Sequence, residues 1–415
     1  MMEYQVKNIS TNNLEQCIKC TICTVYCPVI AVNPDYPGPK QAGPDGERYR
    51  LKDPKFYDKA LKYCLNCKRC EVACPSNVKI GDIIQAARLK YDKSPVKLRD
   101  WVLASTDFVG TVATKMSPIV NTSLKMSLVK NVMDAVLGVD KHRTFPAYAS
   151  KTFESWMRKD APSQEDFNHY ISYFHGCYVN YNFPQLGKDL VTVMNAIGYG
   201  VHLLEKERCC GVAKIANRVM AQAKADAKLN LKSIRKATEN GETVIGTGST
   251  CIFTMRDEYP HVLGIDNADV RDNILMGTVF INRLVDEGKV KLVFKKDYKK
   301  RLTYHTPCHM NKLGWAVHSV SLMRMIPGVE FIPIDSTCCG IAGTYGFKKE
   351  NYQNSIAIGH ELFENILAAQ VDAVVTDCET CKWQIEMNTG VPVLNPISVL
   401  AEALDLEATR RANSK

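Results

Sequence analysis

Two cysteine strings share one spacing, Cys17-x-x-Cys20-x-x-Cys23-x-x-x-Cys27-Pro28 and Cys64-x-x-Cys67-x-x-Cys70-x-x-x-Cys74-Pro75. Three thiolates at every third residue suit three corners of a cubane, and the fourth, ahead of proline, turns away to serve the other cluster. On that rule Cys17, Cys20, Cys23 and Cys74 hold one 4Fe–4S cluster, and Cys64, Cys67, Cys70 and Cys27 hold a second. Zinc also takes four thiolates, but its C-x-x-C pairs need no third cysteine three residues on. The chemistry expected of this segment is one-electron transfer.

A second cysteine system follows. Cys177, the pair Cys209-Cys210 and Cys251 are echoed by Cys308, the pair Cys338-Cys339 and Cys378, at offsets of 131, 129 and 127 residues. So regular a period marks a duplication. The second copy adds Cys381, where the same offset puts Thr254 in the first. Five thiols (Cys308, Cys338, Cys339, Cys378 and Cys381) exceed the four of tetrahedral zinc and favour a larger or unusual iron–sulfur cluster. The four of the first copy (Cys177, Cys209, Cys210 and Cys251) suit zinc, a cubane or a modified cluster, and spacing does not choose among them. Gly340, Gly343 and Gly346 would let backbone approach a cluster at an expected strand-to-helix junction. His175, His305 and His309 flank the first cysteines of the copies. They read either as satisfied structural histidines or as donors to cluster sulfur, a thiol or a quinone.

Short β-branched runs carry these cysteines: YFHGC, VHLLEKERCCG and TVIGTGSTC, then LTYHTPCH, VEFIPIDSTCCG and AVVTDCETC. Amphipathic stretches separate them, which predicts α/β units with mainly parallel sheets. The cysteines fall at strand ends, where open α/β sheets place ligands. Between the first two strings, residues 34 to 50 (PDYPGPKQAGPDGERYR) read as turn and loop. Helices are expected near Asp58 to Tyr63 and over Ile80 to Tyr91, with Asp82 near the start of the latter. Residues 96 to 145 predict two amphipathic helices broken near Pro118, with no run able to span a bilayer. That segment is either a packing surface or an interfacial membrane attachment. The expected fold is multi-domain, a helix-rich two-cluster ferredoxin followed by duplicated α/β cysteine-rich domains. Its divisions fall at 1–95, 96–165 (the amphipathic connector), 166–295 and 296–415.

Seventeen cysteines at metal-ligand spacings in a 415-residue chain point to a reducing compartment rather than a disulfide framework. Met1 to Ser10 lack a basic region leading into an apolar run, so cytoplasmic residence is expected. The formal charge of +9 falls to about +5 once two clusters carry roughly −2 each. That mild balance suits an acidic partner or an anionic membrane surface, and it makes no case for nucleic acid. No G-x-G-x-x-G opens a helix; Gly246-Thr247-Gly248 runs straight into Cys251. No P-loop and no H-E-x-x-H occur. A flavin or nicotinamide site is therefore not expected, and no residue is assigned a catalytic role.

Five blocks carry a family resemblance: YPGPKQAGPDGER (36 to 48), ALKYCLNCKRCEVACPSNVKIGDIIQ (60 to 85), FHGCYVNYNFPQLGKDL (174 to 190), CCGIAGTYGFKKENY (338 to 352) and TDCETCKWQIEM (376 to 387). They resemble the iron–sulfur subunits of glycolate, lactate and glycerol-3-phosphate oxidoreductases, most closely the C-subunit family of anaerobic glycerol-3-phosphate dehydrogenases. The CCG repeats are similar to those in the B-subunit of heterodisulfide reductase. The resemblance implies a non-flavin subunit that accepts electrons from flavin-bearing catalytic subunits oxidising glycerol 3-phosphate. It implies a menaquinone-type acceptor and peripheral attachment at the cytoplasmic side of the inner membrane. It also implies a noncubane 4Fe–4S cluster on Cys308, Cys338, Cys339, Cys378 and Cys381, with Thr254 departing from the pattern in the first copy. Two rival readings stand beside it. In one, as in glycolate, lactate or heterodisulfide relatives, the CCG half reduces a quinone or disulfide itself. In the other it is a zinc-stabilised docking module.

Overall fold

The computed structural model describes residues 14–53, 55–56 and 58–414; Met1 to Ser10, read above for a secretory signal, lie outside them. Among the described residues eight short parallel strands form two four-stranded sheets. The first contains β1 (His169–Phe174), β2 (Tyr199–Leu203), β3 (Thr243–Gly246) and β4 (Ile274–Met276) in the order β2-β1-β3-β4. The second contains β5 (Lys300–Tyr304), β6 (Val329–Phe331), β7 (Ala373–Val375) and β8 (Val393–Leu394) in the order β6-β5-β7-β8. Every residue of β4 and β7 is buried, as in parallel strands covered on both faces. In each sheet the strand order reverses between the first and third strands. A crevice therefore opens at their carboxyl ends, where the cysteines lie.

One hydrophobic core runs through both sheets, from Ile171, Val201 and Val244 to Leu302, Val375 and Ile397. Helices cross between the repeats reciprocally. Pro184–Ala196 packs on Pro396–Ala403, and Ala316–Arg324 packs on Gly277–Asp286. Each pairing joins the helix after one repeat's first strand to the helix after the other's last strand. That reciprocity is the signature of a pseudo-twofold axis.

The N-terminal lobe is helical. Single turns Ile22–Val25 and Arg69–Val72 lie inside the cysteine strings, a 3₁₀ turn covers Lys59–Tyr63, and Ile80–Tyr91 is a helix. The stretch expected as loop is partly helical: a π-turn over Gln41–Asp45 runs into a helix over Gly46–Lys52. Tertiary contacts override the Pro/Gly signal. Buried Arg50 donates to the Ala42 carbonyl at 3.0 Å and pairs with Glu47 at 2.7 Å, and a Cβ on Gly43 would stand 2.9 Å from Ile80.

Residues 96 to 145 are more fragmented than two helices: Leu98–Ala104, Thr106–Lys115, Ser117–Ser123, Ser127–Val132 and a π-turn Met133–Leu137. Small residues face inward. Ala104, Gly110, Ala113 and Ser117 are buried, and a Cβ on Gly110 would stand 2.4 Å from the Tyr181 ring. Two arginines tie the segment to the second repeat. Arg99 forks onto Glu350 with two 2.7 Å bonds, and buried Arg143 donates to the Gly346 carbonyl at 2.5 Å and Ser355 Oγ at 2.8 Å.

Candidate metal centres

In the N-terminal lobe both cysteine strings adopt one backbone shape. Lys19, Thr21, Asn66 and Lys68 bracket Cys20 and Cys67 with φ of +60°, +63°, +56° and +64°. Such left-handed non-glycine residues persist only where surroundings over-determine them, and alternating handedness turns successive N–H groups toward a concavity that accepts anions. The strings interleave. Cys27 lies beside Cys64, Cys67 and Cys70, and the four line an internal cavity closed by Val29, Tyr36 and Leu65. Cys23 has Cys17, Cys74 and Cys20 as its charged neighbours. Burial pushes the Cys27 thiol up to about 12, with Cys67 adding to it. Buried thiols like these become thiolates only when a metal compensates the charge, so the donor set fits a thiophilic metal group. Cys20 is exposed at the surface with Ile18 and Ile22 beside it, whereas Cys27 and Cys70 are interior.

In the second repeat Cys308 follows β5, and Cys378 caps the helix Glu379–Thr389, whose first turn holds Cys381. Cys338-Cys339 sit in a loop after β6, and the next α-helix, Tyr352–Ala369, begins well downstream. The expected strand-to-helix junction is thus absent at this pair. Gly340 has φ +84°, and a Cβ there would come within 2.0 Å of the Ser355 carbonyl, so the loop lies directly on that helix. The thiols converge, Cys339 Sγ to Cys381 Sγ at 3.3 Å and Cys308 Sγ to Cys338 Sγ at 3.9 Å. A hydrogen bond from Cys381 draws the Cys378 thiol down to about 5.

The three histidines differ. His309 stacks on Phe253 and contacts Thr250 Oγ1 at 3.3 Å and the Asn66 carbonyl at 3.4 Å; burial lowers it to about 4. His175 resists its own burial because Glu207 and Glu154 stand 3.2 and 3.5 Å away, which raise it to about 9. His305 is fully buried and neutral, lowered by burial to about 4. Its Nδ1 meets Ser336 Oγ at 2.9 Å while Nε2 has no partner, and a ring nitrogen lies within 4.8 Å of Cys339 and Cys381 Sγ.

In the first repeat the thiols of Cys177, Cys209, Cys210 and Cys251 gather closely enough that each acts on its neighbours' charge. Asp107, from the connector, accepts the Cys209 N–H at 2.9 Å; burial raises its carboxyl to about 6. The cysteine offset pairs Cys251 with Cys378 and Thr254 with Cys381, and the structure corrects this. Gly248 caps the helix Ser249–Phe253 as Cys378 caps Glu379–Thr389, so Cys251 and Cys381 occupy the same first-turn position. The strands agree: Ser172 pairs with Val244 as Thr303 pairs with Val374. So do the tyrosines after them, Tyr173 bonding Thr247 Oγ1 at 3.0 Å and Tyr304 bonding Asp377 Oδ2 at 2.6 Å. The thiol missing from the first repeat is therefore at Gly248, and Thr254 instead bonds the Thr250 carbonyl at 2.8 Å. Aligning T-G-S-T-C with D-C-E-T-C, rather than counting from cysteines, would have revealed it.

The centres adjoin one another. The turn Arg69–Val72 packs on the helix Cys308–Leu313 across the boundary between the N-terminal lobe and the second repeat, which brings Cys67 and Arg69 within electrostatic reach of Cys308. Around that point Lys312 pairs with Glu71 at 2.8 Å and Asn66 Nδ2 donates to Glu258 at 2.5 Å. Thr250 Oγ1 lies 3.8 Å from Cys378 Sγ, which brings the two repeats' centres together. A cavity of about 240 Å³ between the repeats reaches Cys378 and Glu379 and is walled by Tyr178, Asp189 and Lys382. Sequence reasoning passed over Lys68, Arg69 and Glu71, although charged residues inside a metal-ligand string are a visible signal.

Residues 13–78 match the 4Fe-4S dicluster domain, and residues 171–256 and 302–386 each match the cysteine-rich CCG domain. Over 95% of its length the chain is 55% identical to the C-subunit of anaerobic glycerol-3-phosphate dehydrogenase from Escherichia coli (strain K12), covering 100% of that relative. It is 26% identical to the B-subunit of fumarate reductase (CoM/CoB) from Methanothermobacter marburgensis, covering 95% of this chain and 73% of the relative. It is 23% identical to the D-subunit of dihydromethanophenazine:CoB–CoM heterodisulfide reductase from Methanosarcina barkeri, covering 95% of each.

Proposed function

The chain belongs to the C-subunit family of anaerobic glycerol-3-phosphate dehydrogenase, and we propose on that premise that it is the iron–sulfur electron-transfer component of such a complex. Bound iron–sulfur clusters supply reversible one-electron transfer. Cys17, Cys20, Cys23 and Cys74 hold one cubane at the surface, and Cys64, Cys67, Cys70 and Cys27 hold another in the interior. Cys308, Cys338, Cys339, Cys378 and Cys381 hold a noncubane cluster, and Cys177, Cys209, Cys210 and Cys251 hold zinc or iron–sulfur. Flavin-bearing partner subunits oxidise glycerol 3-phosphate and dock where Cys20, Ile18 and Ile22 are exposed. Val29, Tyr36 and Ile80 keep water from the interior set. In this reading the chain divides into 1–95, 96–165, 166–295 and 296–415.

The acceptor is a menaquinone-type molecule, and attachment is peripheral, at the cytoplasmic face of the inner membrane, through residues 96 to 145. No helix among the described residues is long and apolar enough to cross a membrane. The connector's large apolar side chains point outward instead. Leu98, Phe108, Ile119, Leu128 and Val136 are 62% to 76% exposed, and Val96 to Val136 hold half of the exposed large apolar side chains among the described residues. Small residues inward and large ones outward is the reverse of a self-contained helix and suits an interfacial surface.

The observation that carries the relay is the packing of Arg69–Val72 on Cys308–Leu313, with His309 reaching the Asn66 carbonyl at 3.4 Å, which sets the interior ferredoxin thiols against the second repeat. Anaerobic potentiometric EPR of the complex tests it. Two reduced cubane signals with magnetic coupling to a third centre are expected, and absence of fast-relaxing signals from this chain overturns the relay. The cavity reaching Cys378 favours a second reading, in which the CCG half reduces its acceptor directly. Cys381→Ser should then abolish acceptor reduction while the ferredoxin signals persist.

A further inference from the structure

Gly248 is where the first repeat lacks the thiol that Cys378 supplies in the second. A side chain at Gly248 would point toward the first centre, as that of Cys378 points toward the second. That space is taken. A Cβ built on Gly248 would lie 2.5 Å from Glu379 Oε1 and 3.0 Å from Oε2. Glu379 belongs to the second repeat, one residue beyond Cys378, and reaches across the pseudo-twofold while Thr250 of the first repeat reaches back to Cys378. Backbone bonding fixes the exchange, the Ser249 N–H donating to the Asp377 carbonyl at 2.8 Å. Glu379 also lies within electrostatic reach of Cys251.

We propose that Glu379 completes the donor set of the first repeat's metal centre, its carboxylate standing in from the second repeat for the thiol absent at Gly248. The set becomes Cys177, Cys209, Cys210, Cys251 and Glu379: four soft sulfurs and one hard oxygen. A cross-repeat ligand explains how the first copy could lose a cysteine without losing its centre. It also predicts a centre held by residues from both repeats, with one donor weaker toward a thiophilic metal than those of its neighbour. The inference rests on the reading that the first repeat binds metal, whether zinc or iron–sulfur.

The test uses the full chain, prepared without oxygen, with iron and zinc per chain and X-ray absorption as readouts. E379A should lose the first centre's metal to EDTA at least about tenfold faster than the parent protein. The double variant G248C/E379A, which removes the obstruction and restores the thiol, should regain retention with the metal–oxygen component replaced by sulfur. C251S serves as reference. If C251S lowers metal content while E379A leaves content, exchange rate and spectrum unchanged, this proposal alone is overturned. If C251S also changes nothing, the first repeat binds no metal, and both the reading and the proposal fall. Loss in E379A that the double variant does not rescue reflects damage at Cys378 and also overturns the assignment.

Discussion

Lys68 and Asp82 form an ion pair almost without access to solvent, their side chains 1% and 6% exposed, with Glu71 as a second partner at 3.5 Å. Burial works to lower the lysine, and Asp82 and Glu71 overcome it and hold the ammonium charged. The pair sits between the second cysteine string and the helix Ile80–Tyr91, so it orients one side of the interior thiol set. Removing Asp82 leaves the buried Lys68 ammonium with only the more distant Glu71 as an ion-pair partner, and breaking a buried pair in this way costs up to about 3–5 kcal/mol.

Asp82→Ala is therefore expected to lower the melting temperature of the anaerobic protein sharply. Lys68→Met/Asp82→Leu, which removes both charges, should be less damaging than the single change. Differential scanning calorimetry on the three proteins checks this. Equal destabilisation by the single and double variants would contradict it.

The interleaving of Cys27 and Cys74 makes a crossed prediction. Cys27→Ser should disturb the cluster of Cys64, Cys67 and Cys70, and Cys74→Ser the surface one of Cys17, Cys20 and Cys23. Coupling to the second repeat, which passes through Cys67, should change in the first variant and persist in the second. EPR of the two variants decides it, and the reverse pattern would mean each string serves its own cluster.

For the outward apolar face, the triple change Phe108→Ser, Ile119→Ser and Leu128→Ser should weaken association with anionic vesicles by at least about tenfold, since each side chain buried is worth about 1.5–3 kcal/mol. Iron content should not change, because all three side chains are exposed. Co-sedimentation measures the effect. Undiminished binding would assign the face to a partner protein instead.

His305 offers a potential to measure. Ser336 Oγ accepts the Thr306 N–H at 2.9 Å, so its own hydroxyl is free to donate to His305 Nδ1. When that hydroxyl donates, the ring proton sits on Nε2, the nitrogen with no partner, and a ring nitrogen lies within 4.8 Å of Cys339 and Cys381 Sγ. A hydrogen bond from there to a cluster sulfur favours the reduced, more negative state. His305→Phe should lower the second repeat's midpoint potential, with His305→Gln between it and the parent protein. A potentiometric titration with all three coincident would reduce His305 to packing.

The cysteine spacing of a two-cluster ferredoxin, the duplication and the α/β character of each repeat were legible in the residues alone. These are local matters, set by spacing along one strand or one turn. The rest depends on packing. Helix Gly46–Lys52 forms against its Pro/Gly signal because Arg50 buries itself on the Ala42 carbonyl. Cys251 aligns with Cys381 rather than Cys378 because strand register, not cysteine count, sets equivalence. Cys67 comes within electrostatic reach of Cys308, and Glu379 enters the space beside Gly248, because two packed lobes and a pseudo-twofold bring together residues from distant parts of the chain. Spacing records how far apart residues lie along a chain, and only folding brings distant ones within reach of the same metal.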